Sequence, residues 1–166
     1  MRFTFKTGME YINKLRMIAY SFLAAPLAVF VALYLKTGKA ETLNPLLPPD
    51  MVFPVSFGLF ILYVGLLVYS YIFYAMRIKG ARSEQPLRQK LRKYAAIAVI
   101  RLFYLEMATA ACLAGAFVAG QKAFLALFVV LLFIFSIENP SLYRVARQLR
   151  LTKAEKDTLF SVDGVD

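Results

Sequence analysis

Long apolar runs limit the fold of this chain more sharply than any other feature of its sequence. A helix rises about 1.5 Å per residue, so about 20 apolar residues cross the hydrocarbon core of a bilayer. Hydrophobic residues make up 60% of the 166 positions, against roughly 45–50% in soluble domains. The sequence therefore predicts an all-α integral membrane four-helix bundle, with spans at about 17–35, 51–76, 94–119 and 122–138.

Short amphipathic segments flank the predicted spans. Residues 1–16 mix basic and apolar side chains, which is typical of a helix lying on a membrane surface. After the fourth span, Thr152 and Glu155 match a capping box and predict a last short helix. We divide the chain into a cytoplasmic N-terminal segment (1–16), a transmembrane domain (17–140) and an amphipathic cytoplasmic C-terminal tail (141–166).

Basic residues predict the orientation of the spans. Of the 20 Lys and Arg, sixteen fall on the side that holds both termini and the loop at 77–93, and three fall on the other side. The positive-inside rule places that basic side in the cytoplasm, most simply at a bacterial inner membrane. This placement explains the net charge of +10 without a nucleic-acid partner. Anionic lipid headgroups are the expected partners of Arg88, Arg92, Arg144, Arg147 and Arg150.

A stripe of small residues follows Arg101 along the third span. These residues let helices approach closely, so Arg101 is expected to point into the bundle. Only Gly120 and Gln121 are left for the turn to the fourth span, which predicts a tight hairpin. The stripe contains Ala108, Cys112, Gly115 and Ala119.

The hairpin also suggests a partner for Arg101. It brings Arg101 level with about residue 140, so Glu138 and Asn139 fall within a turn of it. An ion pair with Glu138 would avoid an unpaired charge in lipid; the alternative is that Arg101 extends to the headgroups. The segment after the fourth span also has two interpretations. Its residues Glu138, Asn139 and Pro140 either end the fourth helix or form a polar cluster with Arg101.

Glu106 lies almost at the centre of the third span. A charge at that depth costs on the order of 2.5–3.5 kcal/mol on insertion scales. It lies about 140° around the helix from Arg101, so another helix must supply its partner, or the carboxyl is protonated. Tyr63 and the backbone carbonyl freed by Pro26 are candidates by depth. Glu106 therefore either stabilises the bundle through a hydrogen bond or binds a proton or cation.

Motifs for catalysis are absent from the sequence. There is no histidine, one cysteine, no P-loop, no GxSxG and no HExxH, so we expect no cofactor and no metal. The leading interpretation is a non-enzymatic structural or assembly subunit of a membrane complex or homo-oligomer. The alternatives are a small oligomeric channel or transporter that uses Glu106, and a lipid-handling enzyme with a site around Arg101, Glu138 and Asn139.

Overall fold

The fold is entirely helical in the ranges that the structure describes. The structure is a computed structural model that describes residues 5–37, 46–138 and 140–161. The predicted all-α class is confirmed for these residues. Six helices follow one another there: α1 (Gly8–Thr37), α2 (Pro49–Arg82), α3 (Leu87–Phe117), α4 (Ala123–Ile137), α5 (Leu142–Gln148) and α6 (Lys153–Phe160).

Three of these helices are long and apolar enough to cross a membrane. They are α1 over Gly8–Leu35, the whole of α2 and the whole of α3. Helix α4 has 15 residues, or about 22 Å, which is shorter than the roughly 30 Å hydrocarbon core. Counted with α5 as one bent span, it provides a fourth candidate. The described residues therefore contain three or four candidate spans.

Several helices extend beyond the predicted apolar runs. Helix α1 begins at Gly8, so the predicted N-terminal segment continues into the first span without a break. Helix α3 begins directly after Pro86, as the preference of proline for the start of a helix predicts. Most of the basic loop expected at 77–93 is therefore helical, because Arg and Lys are good helix formers.

The chain forms two compact units, and α1, α2 and α3 contribute to both. The first unit, here the basic unit, comprises the described residues within Met1–Tyr20, Tyr71–Leu102 and Asn139–Asp166. The second, here the apolar unit, comprises those within Ser21–Ser70 and Phe103–Glu138. Seventeen of the 20 Lys and Arg of the sequence fall within the ranges of the basic unit.

A buried hydrophobic core holds the basic unit together. Tyr11 and Ile12 of α1, expected on a membrane surface, are buried in this core. The apolar face of α5 is buried there as well, so these side chains pack against protein. Thr152 and Glu155 form the predicted capping box at the start of α6. The core further includes Phe5, Leu15, Ile78, Ala81, Leu87, Leu91, Tyr94, Val145, Ala146, Leu149, Leu151 and Leu159.

The apolar unit is organised around a short connection between α3 and α4. Gly120 in this connection has φ 68°, a left-handed conformation that glycine adopts without steric cost. Gln121 N donates to the Gly115 carbonyl at 3.1 Å, so the connection folds back on the end of α3. Phe30 of α1 stacks on Phe128 of α4, with ring centroids 5.0 Å apart. The connection is short, as the sequence predicts, but it comprises residues 118–122 and not Gly120 and Gln121 alone.

Candidate functional site

Arg101 lies in the basic unit, where α3 places it against an aromatic ring of α2. Its guanidinium carbon is 4.6 Å from the centroid of the Tyr74 ring, which is a favourable cation–π distance. Sequence reasoning missed this contact, since Tyr74 and Arg101 lie 27 residues apart on different helices.

Glu138 lies in the apolar unit, at the C-terminus of α4. It is the C-cap of that helix, and its N–H donates to the Ile134 carbonyl at 3.0 Å. This agrees with the interpretation of Glu138 as a helix end. Asn139 lies outside the described residues. Because Arg101 and Glu138 belong to different units, their ion pair stays a prediction.

Glu106 lies in the part of α3 that belongs to the apolar unit and is half-buried. Its Oε2 is buried and has no hydrogen-bond partner among the described residues. Neither predicted candidate, the Tyr63 hydroxyl or the carbonyl that Pro26 frees, therefore reaches this oxygen. The nearby Thr109 hydroxyl donates instead to the Glu106 backbone carbonyl, at 2.6 Å. The described chain thus leaves one carboxyl oxygen of a candidate membrane-spanning helix without a donor.

One side of α3 next to Glu106 is uncovered. Phe103 is 52% exposed and Met107 is 44% exposed, and Ala110 is exposed as well. Glu106 lies three residues from Phe103 and four from Ala110, so the three side chains are neighbours on the helix surface. The carboxyl therefore borders an apolar face of α3 that the described chain does not cover.

The predicted small-residue stripe lies on the covered side of α3. Ala108, Cys112, Gly115 and Ala119 are all buried. Gly115 packs directly against the Phe124 ring of α4, so closely that a Cβ atom there would overlap the ring. The chain itself therefore occupies the stripe at this point, and a second subunit would have to use another surface.

The arginines expected to contact lipid headgroups differ in their surroundings. Arg88 Nη2 donates to the Phe5 carbonyl at 3.0 Å, and its guanidinium lies over the Phe5 ring at 5.7 Å. Arg144 is half-buried, whereas Arg92, Arg147 and Arg150 are exposed. Headgroup contact stays a prediction for all five, and the three exposed side chains are the most accessible for it.

Hydrogen bonds fasten residues 140–161 to the rest of the basic unit. Arg16 Nε donates to the Pro140 carbonyl, and Arg82 Nε donates to the Gln148 carbonyl, each at 2.9 Å. The Tyr94 hydroxyl donates to Gln148 Oε1 at 2.5 Å. Sequence patterns did not indicate these contacts, because each joins segments far apart in the chain. Only the apolar faces of 5–16 and of α5 indicated that both segments needed a covering surface.

An ion pair joins α6 to α3. Lys90 Nζ donates to Glu155 Oε1 at 2.6 Å, and Glu155 Oε2 accepts from Thr152 N at 2.8 Å. Partial burial opposes ionisation of Glu155, but the hydrogen bonds from Lys90 and Thr152 outweigh it and hold the pKa below its usual value. The ionised carboxylate is therefore the form that the folded basic unit stabilises.

We expect the attachment of α6 to weaken in acid. A carboxyl with a lowered pKa contributes stability that is fully present above its unfolded pKa, about 4.3, and is lost as the pH falls through the folded value. Amide hydrogen exchange in α6, corrected for intrinsic rates, should accelerate between about pH 5 and pH 3. In Glu155→Gln, the part of this pH dependence that comes from the Lys90–Glu155 ion pair should disappear. Equal acceleration in wild type and in the variant would contradict the assignment.

No group of three or more His, Cys, Asp or Glu side chains among the described residues could hold a metal ion, and Cys112 is a free, buried thiol. Two charged residues of the candidate membrane-spanning helices stand out: Arg101 against the Tyr74 ring and Glu106 beside an uncovered face of α3. In comparisons with known proteins, no family model matches the chain, and neither a curated protein nor a solved structure is significantly similar to it.

Proposed function

We propose that this protein is a non-enzymatic assembly subunit of a membrane complex or homo-oligomer. It would cross a bacterial inner membrane as a four-helix bundle, with both termini in the cytoplasm. The observation that carries the assembly role is the buried Glu106 Oε2, which lacks a donor beside an uncovered face of α3. A helix from another subunit would cover this face and supply the donor.

Exposure of α1 and α2 supports the membrane location. In the most apolar windows of these helices, only 6% of residues are buried within the chain. Such extensive exposed apolar surface is unfavourable in water but suits a hydrocarbon environment. The concentration of Lys and Arg within the ranges of the basic unit supports a cytoplasmic location for that unit. Exposed arginines there would attract anionic headgroups at roughly 1 kcal/mol each.

The energetics of Glu106 support a partner helix. A polar group in hydrocarbon without a hydrogen bond costs several kcal/mol, and acidic residues inside membranes almost always face a bundle interior or a cavity. Phe103 and Met107 provide an apolar contact surface next to the carboxyl. A partner that packs on them would exclude lipid from Glu106 and bring a donor to its half-buried carboxyl.

Two substitutions of Glu106 test the assembly role. We expect wild type to form a defined oligomer or heteromer in mild detergent and in nanodiscs. Glu106→Gln keeps hydrogen-bonding capacity and should preserve the assembly. Glu106→Leu should weaken association about 3- to 30-fold, since hydrogen bonds between membrane helices contribute roughly 0.6–2 kcal/mol. Particle mass and energy transfer between labelled copies would measure both.

A matched control separates loss of the carboxyl from a general effect of added leucine. Tyr71 is 68% exposed on α2, and Tyr71→Leu should leave the assembly unchanged. Wild-type protein that is monomeric in both detergent and nanodiscs would overturn the proposal. Full assembly of Glu106→Leu would show that the carboxyl has no part in it.

The same variants distinguish an ion or proton channel that uses Glu106. In a channel, Glu106→Gln would abolish flux into liposomes while the oligomer stays intact. In a structural subunit, neither wild type nor Glu106→Gln would conduct. Helix α4 favours the structural role, because between Ala123 and Ile137 its only polar side chain is Ser136.

A further inference from the structure

A groove in the apolar unit lies between the first turns of α2 and the start of α4. Its volume is about 520 Å³, within the range of small-molecule binding sites. Three phenylalanines of α2, Phe53, Phe57 and Phe60, line one wall, and Phe124 and Leu127 of α4 line the other. The lining residues of α2 extend from Pro49 to Phe60, which is about 16 Å along the helix. The groove is therefore elongated and mainly apolar.

The groove also contains polar groups that suit a ligand with hydrogen-bond acceptors. Ser56 lines it, and Ser56 Oγ is buried with no hydrogen-bond partner in the described ranges. Gln121 lines it as well and is exposed, and its side-chain amide carries two donor hydrogens. A hydroxyl and an amide can both donate to the carbonyl oxygens of an ester.

Two opposite charges lie next to the residues that line the groove. Asp50 follows the lining Pro49, and Lys122 stands between the lining Gln121 and Ala123. Both are exposed. The hydrogen bond from Leu46 N to the Val118 carbonyl, at 2.9 Å, holds the start of α2 beside the α3–α4 connection. A ligand that complements this end of the groove carries both a positive and a negative group.

We propose that the groove binds one molecule of phosphatidylethanolamine from the surrounding bilayer. An acyl chain lies along Phe53, Phe57 and Phe60, and an ester carbonyl accepts from Ser56 Oγ. The phosphate faces Lys122, and the headgroup ammonium donates to the Asp50 carboxylate as a charge-assisted hydrogen bond. This site rests on the membrane location proposed above but not on the assembly role.

The shape and charges of the groove favour a lipid over a protein helix. A helix with side chains is about 10–12 Å wide, whereas a single lipid chain is narrower and follows the elongated shape. The charges of Asp50 and Lys122 beside the lining residues complement a zwitterionic headgroup. Phosphatidylcholine has the same charges but no N–H donor for Asp50, and phosphatidylglycerol has no positive group.

Lipid analysis of purified protein tests the site. Full-length protein extracted in mild detergent should retain about one phosphatidylethanolamine per chain, as measured by mass spectrometry. Ala123→Leu adds bulk to the groove and should reduce this lipid about tenfold, because the added side chain takes space that the lipid chain needs. Ala126→Leu is the matched control, because Ala126 is also exposed on α4 but does not line the groove; it should retain the lipid.

Lipid exchange tests the headgroup. Delipidated protein should take up phosphatidylethanolamine in preference to phosphatidylcholine and phosphatidylglycerol, and Asp50→Asn should remove the preference over phosphatidylcholine. If Ala123→Leu and Ala126→Leu retain the same amount of lipid, the proposed site is wrong. If the protein takes up the three lipids equally, the proposed headgroup preference is wrong. Cross-linking of Phe57→Cys to a second copy would show that protein fills the groove. Retention by a monomer would support the lipid site while contradicting the assembly role.

Discussion

Leu149→Ala should destabilise the basic unit by about 2–5 kcal/mol, the usual cost of truncating a fully buried leucine. Leu149 is 1% exposed and lies in the core with Leu91 and Tyr11. The truncation leaves a cavity between α5 and the helices that it covers. We expect trypsin to cleave at Arg147 and Arg150 much faster in this variant, because cleavage within a folded segment needs local opening.

Tyr143→Ala is the control for this truncation. Tyr143 lies on the same helix but is 79% exposed, with only its ring beside Phe160. Its loss should change the free energy of unfolding by no more than about 1 kcal/mol. If both variants were cleaved at the wild-type rate, residues 140–161 would not be packed in the core. That result would restore the view of this tail as a helix lying on the membrane surface.

Gly115→Ala should destabilise the apolar unit by about 1–3 kcal/mol, a typical cost of overpacking. A Cβ atom at this position would overlap the Phe124 ring, and neither α3 nor α4 can move without disturbing the short connection at 118–122. The effect should appear as easier unfolding in a titration with denaturing detergent, followed by circular dichroism.

Gly65→Ala provides the opposite case. Gly65 is inside α2, and a Cβ atom there would meet nothing within 4 Å. Alanine is a better helix former than glycine by about 1 kcal/mol, so this variant should be as stable as wild type or more stable. Similar behaviour of the two variants would mean that α3 and α4 do not approach closely at Gly115.

Local patterns in the sequence predicted the helices well, because each pattern depends on neighbours along the chain. Apolar runs placed the candidate spans, Pro86 placed the start of α3, and Thr152 with Glu155 placed the start of α6. Gly120 marked the connection between α3 and α4. In each case one residue type or one short spacing determines the local backbone.

The surroundings of the helices could not be predicted in the same way. The apolar face of α5 fits a membrane surface and a protein core equally well, since amphipathicity shows only that the face must be covered. Arg101 was matched with Glu138 by depth, and that ion pair stays a prediction. The contact of Arg101 with the Tyr74 ring, across a different connection, was not predicted. The groove combines residues from α2 and α4 that no spacing in the sequence relates.

The residues that complete the basic unit are synthesised after the helices that they cover. The bond from Arg16 to the Pro140 carbonyl links positions 124 residues apart, and Gly8 packs against the backbone of Leu159. Helices α1, α2 and α3 therefore emerge from the ribosome before the side chains that cover Tyr11 and Leu91 have been synthesised. Until then the nascent chain exposes an unfinished core, which makes it a substrate for chaperones and proteases.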